Sequence, residues 1–248
     1  MANGENKRVN TNSNTYTIIY SVIMVVIVAF LLAFVYQVLK DKQDANVALD
    51  KKKQILYSLN IRGLDDNAAA AKYKEVVLKD NVINDKGEII GGTNSKDGNE
   101  NNGFKLNSAD FKEGKLAIYE CNVDGQTKYV IPVYGMGLWG PISGYIALDE
   151  NCQQVYGAYF NHESETAGLG AEIKDDQSWQ EKFAGKKLFG SDNTKIALSV
   201  EKKVDNQDCQ VDAVTGATLT SNGVRDMLQE CLAKYIPFIN SKTNNQGK

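Results

Sequence analysis

The chain has 248 residues, with 28 Lys and Arg against 31 Asp and Glu and a net charge of −3. That length holds one good-sized domain plus an accessory segment. The even charge balance excludes a reader of nucleic-acid backbone, which needs a clustered excess of Lys and Arg.

Residues 16–38 carry no charge at all. About 20 apolar residues cross roughly 30 Å of hydrocarbon as a helix, so this run reads as a retained membrane anchor. A cleavable signal peptide is the alternative, but its apolar region is shorter and closes on small residues. Here the run ends in VYQVLKDK instead. Lys7 and Arg8 precede the run, while Lys40, Lys42, Lys51, Lys52 and Lys53 follow it. Those counts mildly favour a cytoplasmic C-terminal domain, by a rule that weakens when a long domain follows. Charge alone leaves the side open.

Residues 44–60 read as a polar helix with a thin apolar stripe of Val47, Ile55, Leu56 and Leu59. A second, alanine-rich helix is expected over 66–79, with Tyr73, Val76 and Val77 on one side. Residues 91–103 are polar and without period, a surface loop. From Phe104 the pattern turns to strands. Residues 115–123 and 128–135 flank Asp124-Gly125-Gln126-Thr127, a hairpin built on Asp-Gly. Residues 142–149 and 154–161 form a second pair. Ser178 and Glu181 make a capping box for a short helix carrying Trp179 and Phe183 four residues apart. Residues 195–204 and 210–214 are further strands. The last helix shows Val224, Met227, Leu228, Cys231, Leu232, Tyr235 and Ile236 at steps of three and four. Thr220 or Ser221 is its expected cap and Pro237 its end. The fold class is α+β: one N-terminal transmembrane helix, then a twisted, largely antiparallel sheet with covering helices. In segments, 1–15 is the N-terminus, 16–38 the membrane helix, 39–103 a membrane-proximal part with a polar loop, and 104–248 the main domain.

Cys121, Cys152, Cys209 and Cys231 form no C-x-x-C pair, and His162 is the one histidine. A protein-bound iron–sulfur cluster or zinc site is not expected, and the spacing assigns no disulfide. Two stretches invite chemistry. Asp212-Ala-Val-Thr215-Gly216-Ala217-Thr218-Leu219-Thr220-Ser221 joins a strand to the last helix. A helix start offers unpaired N–H groups and a positive dipole end, so it suits a phosphate; an ordinary capped helix after a tight turn is the alternative. Residues 162–172, HESETAGLGAE, follow a strand, and 135–141, GMGLWGP, expose Leu138 and Trp139 in a loop. Large apolar side chains in loops need something to cover, and a flat ring such as a flavin would use them. Glu163, Glu165 and Glu172 read as a solvated face, with a docking surface as the alternative, and Trp179 reads as packing.

Asp212-x-x-Thr215-Gly216-Ala217-Thr218 resembles the flavinylation signature of the FMN-binding domain family, in which the last threonine is esterified to the FMN phosphate. GLWGP, HESETAGLGAE, WQEKFAGKKLF and TGATLTSNGV follow the order found in the C-subunit family of sodium-translocating NADH:quinone reductases. The likeness covers the anchor and most of residues 129–238. One departure is Ala167, where that family often has proline before Gly-Leu-Gly.

The resemblance implies covalent FMN on Thr218, made by a separate flavin transferase, because no base in the motif would activate the hydroxyl. It implies that Asp212 serves the transferase, with a plain strand-end turn residue as the alternative, that Thr215, Gly216 and Ala217 shape the turn, and that Leu219, Thr220 and Ser221 lie at the phosphate or flavin, with simple helix capping as the alternative for Thr220 and Ser221. Thr166, Leu169 and Gly170, with Leu138 and Trp139, are placed against the isoalloxazine. Partners by resemblance are a second covalent-FMN subunit, a subunit holding FAD and a 2Fe–2S centre, and membrane subunits, with the flavin domain outside the cytoplasm. The chain has no G-x-G-x-x-G after a strand and no charged residue in its span, so neither NADH oxidation nor sodium conduction is expected of it alone. The related G subunit of the Rnf ferredoxin:NAD complex and a cofactor-free tethered interaction domain are the rival readings.

Overall fold

The computed structural model describes residues 11, 13–92, 103–191 and 194–244. The chain divides into two compact units, Met1–Ala48 and Leu49–Lys248. Most of the expected loop at 91–103 lies outside the described residues.

The first unit is occupied by helix α1, Asn14–Ser58, which runs on into the second unit. Along 16–38 its apolar side chains face outward, with Phe30 70% and Leu32 66% exposed. The helix is long and apolar enough to cross a membrane, as a single-pass anchor requires. The polar helix expected at 44–60 is the later part of this same helix, which ends at Ser58. Residues 39–58 contain neither Gly nor Pro, so nothing stops propagation. The helix ends in a Schellman turn. Asn60 takes φ 61°, Ile61 N–H donates to Leu56 O at 3.0 Å, and Asn60 N–H donates to Tyr57 O at 3.0 Å.

In the second unit α2 spans Asp66–Val76, capped by the Asp65 carboxylate on Ala68 N–H. The expected helix to residue 79 stops short, because Val77–Ile83 is strand β1. Val77 to Ile83 pair with Cys121 to Leu116, and this tertiary pairing overrides the local alanine-rich signal. β1 also pairs with the short β2, Ile89–Gly91, another strand that periodicity missed. Then come α3 (Ser108–Lys112), β3 (Leu116–Val123), β4 (Gln126–Met136), β5 (Pro141–Leu148) and β6 (Val155–His162). The Asp-Gly turn forms as read, with Asp124 at φ 50° and Gly125 at φ 80°, the two positive values that a type I′ hairpin requires. The six strands make one antiparallel sheet in the order β2-β1-β3-β4-β5-β6.

α4 (Glu172–Asp175) and α5 (Gln177–Glu181) lie beside β6. The cap of α5 is Asp176, not Ser178. Its carboxylate accepts from Trp179 N–H and from the Ser178 hydroxyl at 2.6 Å. A carboxylate with two donors outcompetes a hydroxyl for that role. β7 (Ser199–Glu201) and β8 (Gln210–Asp212) form a two-stranded parallel sheet, each shorter than its predicted run.

Helix α6, Thr218–Asn244, closes the domain. Its Val224, Met227, Leu228, Cys231, Leu232 and Tyr235 are buried with Ile131, Val133, Ile142 and Ile146 of the sheet. Pro237 lies inside the helix instead of ending it. The lost N–H bond is offset by burial of Phe238 and Ile239, with the Phe238 ring 5.6 Å from that of Tyr129. Thr220 and Ser221 stand in the first turn, so neither is the cap residue.

All four cysteines are free and buried. Burial raises the thiols of Cys121 and Cys152 far above the ordinary thiol range, and raises Cys231 to about 11. Burial also raises the phenol of Tyr134 to about 12. These groups stay protonated in the fold and ionise more readily once unfolded. The stability they confer is intact below the ordinary values, 9.0 for a thiol and 10.0 for the phenol, and is lost as pH rises from there to the folded values. Each contributes a loss of about 1.4 kcal/mol per pH unit in that window. Urea denaturation of a chain beginning at Leu49 should therefore show stability level near neutral pH and falling steeply above about pH 9. The fall should be shallower in Cys121→Ala.

Candidate functional site

Three segments converge on one cleft of about 370 Å³. The β4–β5 connection supplies Leu138 and Trp139. The loop after β6 supplies Glu165, Thr166, Leu169 and Gly170. The turn into α6 supplies Gly216, Ala217, Thr218, Leu219 and Thr220. Its rim is apolar and open, with Trp139 67%, Leu219 59%, Leu138 47% and Leu169 43% exposed.

The turn has a local cause. Gly216 takes φ 77°, a value a side chain resists, and a Cβ there would also stand 2.9 Å from Leu169 Cδ2. Ala217 N–H donates to Val214 O, and Ser221 N–H donates back to Ala217 O at 2.9 Å. Ala217 is thus the cap residue, and the N–H groups of Thr218, Leu219 and Thr220 precede the first intrahelical bond. Thr218, the first helical residue, is exposed. Its hydroxyl and those N–H groups sit at the positive end of a 27-residue helix. An apolar slot beside an anion-binding helix start fits FMN, which joins a flat ring to a phosphate.

The other expected residues stand elsewhere. Asp212 ends β8 outside the cleft lining. Its carboxylate accepts from Lys182 Nζ at 2.8 Å, and its carbonyl accepts from Trp179 Nε1 at 2.7 Å. Thr215 is exposed on the turn. Ser221 is buried, and its Oγ accepts from Val214 N–H at 3.1 Å, an internal brace of the turn. Trp179 packs as read, 5.2 Å from Phe183 with the rings edge to face.

Glu165 is the residue the sequence misplaced. Taken as part of a solvated face, it is 8% exposed. Its Oε1 accepts from Trp139 N–H at 2.8 Å and its Oε2 from the Thr220 hydroxyl at 2.6 Å. One carboxylate thereby ties all three segments together. The glycines around it make room. A Cβ on Gly170 would lie 2.5 Å from Glu165 Oε2 and 2.6 Å from Thr220 Oγ1, and one on Gly137 would strike Glu165 Oε1. Glycine in both loops is the trace this residue left in the sequence.

Residues 137–233 match the family model described as FMN-binding domain. The chain is 32% identical to the C subunit of the Na(+)-translocating NADH-quinone reductase of Haemophilus ducreyi over 206 residues, 75% of this chain and 77% of that one. It is 31% identical to the corresponding C subunit of Vibrio parahaemolyticus over 209 residues, 75% of this chain and 78% of that one. Among solved structures, the crystal structure of the C subunit from Parabacteroides distasonis superposes with a TM-score of 0.72 at 36% identity, over 81% of this chain and 96% of that one. NqrC of Shewanella oneidensis superposes with a TM-score of 0.65, over 81% of this chain and 99% of that one. At 24% identity that second likeness speaks for the fold alone.

The packing around Glu165 makes a direct prediction. Gly170→Ala inserts a methyl group between Glu165 and Thr220 and should cost about 1–3 kcal/mol. Denaturant unfolding of the chain measures it, and an unchanged midpoint would mean that the carboxylate has room to spare.

Proposed function

Because the chain belongs to the C-subunit family of Na(+)-translocating NADH-quinone reductases, we propose that it relays electrons through an FMN esterified to Thr218. The observation that carries this reading is the meeting of an exposed Thr218 at a helix start with an apolar slot. FMN, when bound, supplies the capacity to take up and release electrons. The remaining tasks belong to this chain's own residues. The N–H groups of Thr218, Leu219 and Thr220 would hold the phosphate. Leu138, Trp139, Leu169 and Leu219 would exclude water from the ring, with Thr166 and Gly170 completing the lining.

The threonine hydroxyl is a poor nucleophile at neutral pH. Glu165 is the one carboxylate in the cleft lining, and both its oxygens already accept hydrogen bonds from Trp139 and Thr220. That favours attachment by a separate flavin transferase, with the exposed Asp212, Thr215 and Thr218 as the surface it reads. Partners on this reading are the second covalent-FMN subunit, the FAD and 2Fe–2S subunit and the membrane subunits of the complex. Sodium passes through those partners, since residues 16–38 carry no charge. Family membership weighs against the G subunit of an Rnf complex, and the apolar cleft weighs against a cofactor-free interaction domain.

Thr218→Ala should abolish covalent flavin, read as fluorescence of the denatured chain in a gel. As a surface change it should move stability by no more than about 0.5 kcal/mol. Flavin that survives would point to Thr220 or Ser221, although both are buried.

Topology gives a second test. Lys7 and Arg8 are proposed to hold the N-terminus inside, with the flavin domain outside the cytoplasm. The lysines after the span pull the other way, by about 1 kcal/mol each near an anionic surface, and a long following domain overrides them. Alkaline phosphatase fused after Lys248 should be active. Activity from a cytoplasm-only reporter at that junction would reverse the orientation.

A further inference from the structure

Glu165 stands out among the groups around the cleft because its carboxylate has no ion-pair partner among the described residues. The salt bridges among the described residues do not include it. Its two acceptor contacts are a backbone N–H and a hydroxyl, both neutral dipoles. Taking a carboxylate's charge out of water is costly, and neutral donors offset only part of the cost. A solvated glutamate would avoid that cost altogether. Instead the fold reserves space for the carboxylate, with glycine at 137 and at 170 where a Cβ would collide with it. The same residue lines the cleft together with Leu138, Trp139 and Thr218.

We propose that Glu165 sets the reduction potential of the flavin by holding one uncompensated negative charge against the cleft. The inference rests on the reading that FMN occupies this cleft. Adding an electron to a flavin adds negative charge, and a fixed negative charge in a low-dielectric wall opposes it. The potential is thereby held lower than the apolar slot alone would give. Trp139 and Thr220 serve the charge by fixing where it stands. Glutamine separates the two roles. Its carbonyl accepts from Trp139 N–H as before, and its amide N–H donates to the Thr220 oxygen, so the bridge survives while the charge is gone.

The test is a redox titration, followed by visible absorption, of the full chain in detergent after coexpression with a flavin transferase. E165Q should shift the midpoint potential to more positive values, while the oxidised spectrum and the thermal midpoint stay close to those of the unaltered chain. Thr220→Val is the second variant, and it tests the idea even where E165Q does not fold. It removes one of the two dipoles that partly neutralise the carboxylate, so the potential should move to more negative values. An E165Q potential equal to that of the unaltered chain, or a T220V potential that is unchanged or more positive, would overturn the proposal. An unaltered chain that carries no covalent flavin would instead refute the reading on which the proposal rests. The two failures are thus told apart by in-gel fluorescence before any titration begins.

Discussion

Burial of one face of helix α6 against the sheet is the contact on which the site's geometry depends. Val224, Met227, Leu228, Cys231, Leu232 and Tyr235 are each at most 2% exposed. Side chains of this kind contribute roughly 1.5–3 kcal/mol apiece when fully buried. A slip of one residue would rotate the helix by about 100° and expose that face, so the register is strongly specified. Tyr235 adds a directional lock by donating its hydroxyl to Ala117 O at 2.9 Å. With the helix held in this way, its first residue, Thr218, has one place to be.

The loops then have to come to the helix start, and glycine is what lets them approach. Gly223 lies so close to the Met136 carbonyl that a Cβ would clash with it, and a Cβ on Gly135 would press on Met227. These contacts bring the end of β4 down onto the first turns of α6. Gly216 reverses the chain just ahead of the helix. The carboxylate of Glu165 then joins what packing has brought together, with two hydrogen bonds and no counter-ion among the described residues. The site is thus fixed first by apolar burial, second by steric room, and last by a single polar bridge.

That order explains which parts of the protein were legible in its residues. The charge-free run at 16–38, the Asp-Gly hairpin and the apolar face of α6 are local or periodic, so the side chains themselves report them. Leu138, Trp139, Leu169 and Thr218 line one cleft although they come from three separate segments, a meeting that no local spacing reports. Strands β1 and β2 stayed hidden, since β1 is set by its pairing with β3 and β2 by its pairing with β1, not by their own pattern. The same holds for Pro237, which residue type alone would place at a helix end.

The sequence by itself determined the long apolar helix, the α+β class and the small-residue turn ahead of Thr218, because each depends on neighbours a few residues apart. The tertiary structure alone decided what becomes of Glu165, Thr220 and Ser221. Fifty-five residues separate Glu165 from Thr220, yet their side chains meet at 2.6 Å. No local pattern distinguishes a glutamate that stays in water from one that the fold draws inside. The difference lies in whether distant segments bring donors to it, and only the packing of α6 against the sheet does that.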